Sequence, residues 1–414
     1  MVSTVQQNLP QATSTRLLSL DAFRGFDIAA MLIVNMTWNT SVFHPQLFHV
    51  PWNDPLQGAT FADLIFPWFV FIAGAAIPFS LDSARRHGRS KRQILLSAAR
   101  RGATLYLLGV LLTVASTAYT TPLQLTDLLR WNILQLIGAA YFIAVGVMLL
   151  PWGYRVGFVV LVLVTKWAVM TMLPWETVNS LVSTRAVDGA PLGPGTWAHF
   201  DAVKRVVGFE HGQQGFVGGF LSWLGMADEF IPCAAITVIG GLTCQTLNTG
   251  RDWKQVGKLS GWGLGMVAVA IVLQWDYQAS GGGLWGQSTV PFSKWFFSPA
   301  YCLLASGTGI WLFMAFFIAI DLKRWTTGIG LRILGMNAIA LYVGAELSFK
   351  TIFSKWQVAL PGGGADSLAS GLIAWVKYAT GSPFVSGASL VLLWLVGWWL
   401  VCWWLFRRGI FLSV

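Results

Sequence analysis

Charge is scarce in this chain. Only 11% of its 414 residues are Asp, Glu, Lys or Arg and 55% are hydrophobic, whereas a soluble domain is about half apolar and about a quarter charged. A soluble fold is excluded on that balance. Cysteine is nearly missing as well: Cys233, Cys244, Cys302 and Cys402 all fall in apolar segments, with neither metal-ligand spacing nor an extracellular disulfide pattern. They read as packing residues, and no metal is expected. No GxGxxG follows a strand, so no soluble nucleotide-binding domain is expected. Residues 1–15 hold no charged side chain and lack the basic and apolar regions of a cleavable signal. They are expected to be a disordered cytoplasmic N-terminus, with the first helix inserting as an uncleaved anchor.

What is present is a series of apolar runs, each long enough to cross a hydrocarbon core of about 30 Å as a helix. They lie near 22–38, 59–81, 102–119, 132–150 and 156–173, then near 228–247, 259–276, 298–320, 332–349 and 382–406. The fold class expected is therefore an all-α polytopic membrane protein of about ten transmembrane helices, in one domain over 16–414. The net charge of +10 points to topology rather than to nucleic acid, because the basic residues sit in short loops and not on one soluble face. The strongest run, Arg85-Arg86-His87-Gly88-Arg89-Ser90-Lys91-Arg92 with Arg100 and Arg101 behind it, places that loop in the cytoplasm. Loops of the same parity agree, so both termini are expected to be cytoplasmic. The segments 39–58, 174–227, 277–297 and 350–381 are then periplasmic, the second being the long one. The Gly-Gly-Gly runs at 281–283 and 362–364 read as turns.

Polar groups at membrane depth are candidates for function because they are costly there. Asp21 and Arg24 share one side of the first helix, which suits either a helix-start ion pair or a contact to a ligand on the cytoplasmic side. Asn35 lies near the far end of that helix. His49 follows on the short outer loop, in Phe48-His49-Val50-Pro51-Trp52-Asn53, and Asp63 comes one turn before Pro67 in an otherwise apolar helix. Proline at 67 removes a backbone donor and so frees a carbonyl one turn earlier. Asn35, His49 and Asp63 are expected to converge at the outer end of the first two helices. A histidine there suits proton transfer near neutrality, although a loop histidine alone has a structural reading too. His199 and His211 in the long loop read as bystanders, Asp228 and Glu229 as helix-start carboxylates, and Lys166 as snorkelling or paired. Trp152, Trp295 and Trp325 read as an interfacial belt.

The string "LLSLDAFRGFDIAAMLIVN", followed by "HVPWN" and "ATFADLIFPWFVFIAG", resembles the opening of the heparan-alpha-glucosaminide N-acetyltransferase family, which includes NagX-like bacterial homologues among the transmembrane acyltransferases. Weaker echoes, "RWNILQLIGAAY", "DEFIPCAAITVIGG", "PFSKWFFSPAYCLLASGTG" and "LRILGMNAIALYV", follow in the family's order. The resemblance implies transfer of an acetyl group from cytoplasmic acetyl-CoA to the amine of a glucosamine-type sugar on the other side of the membrane. It places His49 on the family's catalytic histidine and Asn35 and Asp63 on conserved polar positions of the same block. Trp52 and Asn53 match the pair after the histidine, on the acceptor side. Lys294 and Asn337 match later echoes, Lys294 toward the acceptor and Asn337 toward the donor. Arg24, Asp21, Arg100 and Arg101 are candidates for holding coenzyme A, and the same arginines also satisfy topology alone.

The chain departs from the family pattern by four extra residues between the Trp-Asn and Ala-Asp pairs, and it lacks the large lumenal domain. The insertion alters the rim of the acceptor site, and the missing domain implies a bacterial inner-membrane form acting on a small amino sugar or short glycan, with a homodimer admitted as an assembly. An amino-sugar permease, or the same fold acylating a glycan or lipid hydroxyl, stays open. So does the choice between direct transfer and an acetyl-histidine intermediate.

Overall fold

The computed structural model describes residues 17–37, 42–50, 58–117, 131–172, 227–280, 292–294, 297–325 and 328–412. In chain order the helices are α1 (Leu18–Thr37), α2 (Phe61–Ala75), α3 (Ile77–Arg86), α4 (Lys91–Thr117), α5 (Ile133–Met148), α6 (Trp152–Met172), α7 (Ala227–Leu247), α8 (Trp253–Ser280), α9 (Pro299–Phe316), α10 (Ile329–Met336) and α11 (Ala338–Ser348). A short antiparallel hairpin of β1 (Gln357–Ala359) and β2 (Ala365–Ser367) precedes α12 (Leu368–Thr380) and α13 (Pro383–Arg407). Each apolar run expected from the sequence is helical over most of its described residues. Among the described residues six helices are long and apolar enough to cross a membrane, or seven if the bent pair α10–α11 is one span. Helix α1 is long enough but concentrates Asp21, Arg24 and Asp27 in its first half, and α5 is shorter. Leu107, Leu161 and Leu264 are more than 60% exposed, as expected of side chains that face lipid. The chain is a multi-pass helical membrane protein.

The helices fall into two compact units. The first comprises residues 1–48, 111–123 and 315–414. Its centre is the crossing of α1 and α10, where a Cβ on Gly25 would stand 1.7 Å from the Leu331 carbonyl oxygen and one on Gly335 would stand 1.9 Å from that of Asp21. Only glycine permits such backbone approach, the usual device for joining helices inside a bilayer. The apolar run near 332–349 is not one straight helix: α10 and α11 meet at a 74° bend. Asn337 at the joint is fully buried. Its amide donates to the Ile410 carbonyl at 3.3 Å and accepts the Leu412 N–H at 2.8 Å, so the C-terminal tail holds the bend. The segment 350–381, expected as a loop, is also more ordered than a loop. Glycines 363 and 364, at φ 87° and 83°, turn the hairpin, as the glycine run suggested. The Ser367 hydroxyl then caps α12, which Gly381 ends at φ 69°.

The second unit comprises residues 49–110 and 124–314. Its axis is the pair α2–α7, with α5 and α6 also packed on α7. A Cβ on Gly74 would lie 1.8 Å from the Thr237 carbonyl oxygen, and one on Gly240 would lie 2.1 Å from that of Phe71. Replacing Gly74 with leucine is therefore expected to force α2 and α7 apart, costing about 1–3 kcal/mol or more by overpacking. Thermal unfolding in detergent checks this, with Gly265→Ala on α8 as the control, since nothing lies within 4 Å of a Cβ there. An unchanged midpoint for Gly74→Leu would contradict the contact.

Pro67 sits inside α2. The carbonyl it frees belongs to Asp63, four residues back, and that oxygen accepts a hydrogen bond from the fully buried Tyr301 hydroxyl of α9. The proline thus ties the start of α2 to α9 through a backbone group that an unbroken helix would have kept for itself.

Candidate active site

The start of α2 organises the site. Asp63 is the third residue of the helix and reaches back to its beginning: Oδ2 accepts the Thr60 N–H at 3.1 Å and the Thr60 hydroxyl at 3.0 Å, the backward half of a capping box. The same oxygen accepts the Val50 N–H at 3.2 Å, which fixes the chain next to His49. The other oxygen, Oδ1, lies 2.9 Å from His49 Nδ1. The Asp63 carboxylate is only 1% exposed and the His49 ring 19% exposed, so a sequestered acid orients an imidazole whose other edge reaches outward. A carboxylate beside Nδ1 selects the tautomer with the proton on Nδ1, and the lone pair is then on Nε2.

A third group completes the cluster. Lys294 Nζ lies 3.7 Å from Asp63 Oδ1, 3.0 Å from His49 Nδ1 and 3.5 Å from His49 Nε2. With the Nδ1 proton given to Asp63, the ammonium makes no hydrogen bond to that nitrogen and acts there as the counter-charge of the carboxylate. Burial lowers the Lys294 ammonium from its ordinary range to about 8, against the opposing pull of Asp63. The lysine is set by a tight turn: the Phe297 N–H donates to the Lys294 carbonyl at 3.3 Å and the Ser293 N–H to the Ser298 hydroxyl at 3.1 Å. Phe297 takes φ 45°, an outlier for a bulky side chain, and its ring packs edge-on against Phe66 and Tyr301. Strain of this kind collects where position matters more than comfort.

Of the three residues expected to converge, His49 and Asp63 meet, and Lys294, expected only on the acceptor side, joins them. Asn35 belongs to the first unit, where its amide donates to Glu346 Oε1 at 2.7 Å and Glu346 pairs with Lys350 at 3.5 Å. In the same unit Arg24 pairs with Asp21 at 3.6 Å, and Asn337 holds the tail. Arg100 is exposed on α4, and Arg101 stacks its guanidinium 4.5 Å above the Tyr141 ring. Trp52, Asn53, Trp295, His199 and His211 lie outside the described residues. Two acids escaped the sequence reading. Glu346 was hidden because its partner is 311 positions away. Asp27, in the middle of α1, is fully buried and neither of its oxygens has a hydrogen-bond partner among the described residues. Among those residues no group of three His, Cys, Asp or Glu side chains is placed to hold a metal.

Residues 16–188, which contain His49 and Asp63, match the model of a family described as "Heparan-alpha-glucosaminide N-acetyltransferase, catalytic". The chain is related to these acetyltransferases. It is 24% identical to the heparan-alpha-glucosaminide N-acetyltransferase of Homo sapiens over 89% of its own length and 59% of the human protein's. To that of Mus musculus it is again 24% identical, over 90% of its length and 60% of the mouse protein's. It thus spans about three-fifths of the curated relatives it matches. The alignment extends past the matched family region into the second half of the chain, where Lys294 lies.

Proposed function

We propose that the chain is a transmembrane N-acetyltransferase of a bacterial inner membrane. It carries acetyl groups from cytoplasmic acetyl-CoA to the amine of a glucosamine-type sugar on the periplasmic side. The observation that supports this most is the orientation of His49 by Asp63, which leaves an imidazole lone pair on Nε2 at a partly exposed position. In this reading the amine nitrogen attacks the thioester carbonyl while Nε2 takes its proton. The C–N bond forms, the C–S bond breaks, and the departing thiolate receives the proton from the imidazolium. Asp63 stabilises that imidazolium without becoming protonated itself. The basic residues between 85 and 101 raise the local concentration of the polyanionic donor. A sequestered cation at Lys294 also disfavours an ammonium beside it, so the site holds the acceptor amine in its neutral, nucleophilic form.

Purified protein incubated with radiolabelled acetyl-CoA and glucosamine should yield N-acetylglucosamine. Vectorial uptake of the sugar without acetyl transfer would instead assign the cluster to a permease. For topology, tags at residues 1 and 414 should both report the cytoplasm and a tag within 180–200 the periplasm, and a periplasmic C-terminus would mean an odd number of crossings and exclude ten.

Lys294 adds a pH signature. Its ammonium donates to acceptor oxygen in this scheme, a charge-assisted bond worth about 1.5–3 kcal/mol. The folded chain holds this proton to about 8, below the ordinary 10.5, so the charged form is complete below that value and is lost as the pH rises through it. The acceptor KM should climb roughly tenfold above pH 8. In Lys294→Arg, whose guanidinium keeps its proton, KM should be level across the same range. A limb that persists in the arginine variant would take Lys294 out of acceptor binding.

A further inference from the structure

The other end of the second unit carries a cavity that the chemistry at His49 does not use. From Phe61 to Arg86 the chain runs 26 residues as a candidate span, roughly 39 Å at 1.5 Å per residue, so the end of α3 lies a bilayer's thickness from Asp63. There α3, α4 and α5 enclose about 230 Å³. The polar part of the wall is Ser80, Ser83, His87, Arg89, Ser97 and Tyr141, and the rest of the lining is aliphatic. No carboxylate is among the lining residues. The nearest in sequence, Asp82, is 3.5 Å from Arg85.

Several features make this a site for an anion rather than a basic loop alone. His87 Nδ1 lies 2.8 Å from the Ser83 carbonyl, which fixes the ring and directs Nε2 to a ligand. Arg101 lies over the Tyr141 ring with Nη1 3.4 Å from its hydroxyl, and its Nε is buried without a hydrogen-bond partner. Arg101 is not itself a lining residue, but it sets a positive charge directly behind the Tyr141 part of the wall. Helix α4 begins at the rim with a capping box, the Ser90 N–H donating to Gln93 Oε1 at 2.8 Å and the Gln93 N–H to the Ser90 hydroxyl at 3.3 Å, so the positive end of a long helix faces the same place. Topology explains why arginines sit in this loop, but not why hydroxyls, an imidazole, a guanidinium at Arg89 and an aliphatic floor surround one cavity.

The surroundings indicate the bearer of the charge. Leu96 and Phe142, next in sequence to Ser97 and Tyr141, are 51% and 42% exposed, and Trp152 and Tyr154 are exposed at the same end of α5 and α6. Exposed aromatics of this sort mark the headgroup level of a membrane. A polar, basic mouth over an aliphatic floor, beside lipid-facing side chains, matches a phosphate ester that carries a hydrocarbon chain. We propose that this cavity is a phosphate site occupied by the headgroup of an anionic phospholipid of the cytoplasmic leaflet. The proposal does not depend on the acetyltransferase reading.

The test uses the full chain in a neutral detergent and follows its thermal midpoint with short-chain phosphatidylglycerol, short-chain phosphatidylcholine, inorganic phosphate and coenzyme A. Phosphatidylglycerol should give a saturable stabilisation that phosphatidylcholine does not. The double variant His87→Gln, Arg89→Gln, both at exposed positions, should weaken its apparent affinity tenfold or more while leaving the unliganded midpoint in place. Equal response to phosphatidylcholine, or an unchanged affinity in the variant, would overturn the site. Inorganic phosphate or coenzyme A acting as well as the lipid, with the same loss in the variant, would overturn the lipid assignment and give the cavity to a phosphorylated solute.

Discussion

Changing His49 to alanine should lower acetyl transfer by a factor of about 10² to 10⁴, the scale on which general bases contribute. The expectation follows from the division of labour in the cluster. Asp63 is sequestered, accepts three other hydrogen bonds through its second oxygen and stays an acceptor. Lys294, lowered by burial but supported by Asp63, stays a cation up to about pH 8. Only the imidazole presents a lone pair suited to a proton that must come off and go back within a turnover. Acetyl-CoA binding should survive, because the donor's phosphates remain a bilayer away in the proposed reaction. Rate and donor affinity should be measured on the same folded sample. Near-normal turnover would make His49 a structural loop residue, and joint loss of binding and folding would shift the question to Asp63.

The second large effect separates two substitutions at Asp63. In Asp63→Asn the amide oxygen is claimed by the Val50 and Thr60 N–H groups, since both need an acceptor. The NH₂ then faces His49 Nδ1. An imidazole opposite a donor must turn its lone pair to Nδ1, which puts the proton on Nε2 and removes the base from the reacting edge. Asp63→Asn should therefore fold and lose activity on the order of 10²-fold or more. Asp63→Ala should fail differently. It takes the acceptor away from the bonds of the Val50 and Thr60 N–H groups and the carboxylate away from Lys294, and losing one member of a buried ion pair costs about 3–5 kcal/mol. A depressed thermal midpoint is expected for alanine but not for asparagine. Equal activity in Asp63→Asn and the parent would remove the tautomer argument.

Much of this site could be read before any coordinates, and the parts that could not have identifiable reasons. His49 and Asp63 lie 14 residues apart on one loop and one helix start, close enough for a local pattern to expose them. Pro67 even announced its unpaired carbonyl, though not that Tyr301 would take it. Lys294 was assigned to the acceptor on a family echo, and nothing in its own neighbourhood indicates that it meets His49 from 245 positions away. The run at 332–349 has the hydropathy of a straight span. What bends it is a single asparagine whose partners arrive 73 and 75 residues later. Helix α12 is a different case: Ser367 and Gly381 are ordinary start and stop signals, but hydropathy alone sets 350–381 apart only as the stretch between two membrane segments.

The glycine seam between α2 and α7 bears on how such a protein would change shape. Where Gly74 and Gly240 bring backbones to within the width of a hydrogen atom of a clash, the two helices have no room to slide or rotate on each other, and they behave mechanically as a single beam. Asp63 stands at one end of that beam and the phosphate cavity near the other. A passage that opens and closes alternately would have to swing other parts about this beam, so cross-links across the seam should be tolerated during turnover, whereas cross-links that fasten it to moving neighbours should not.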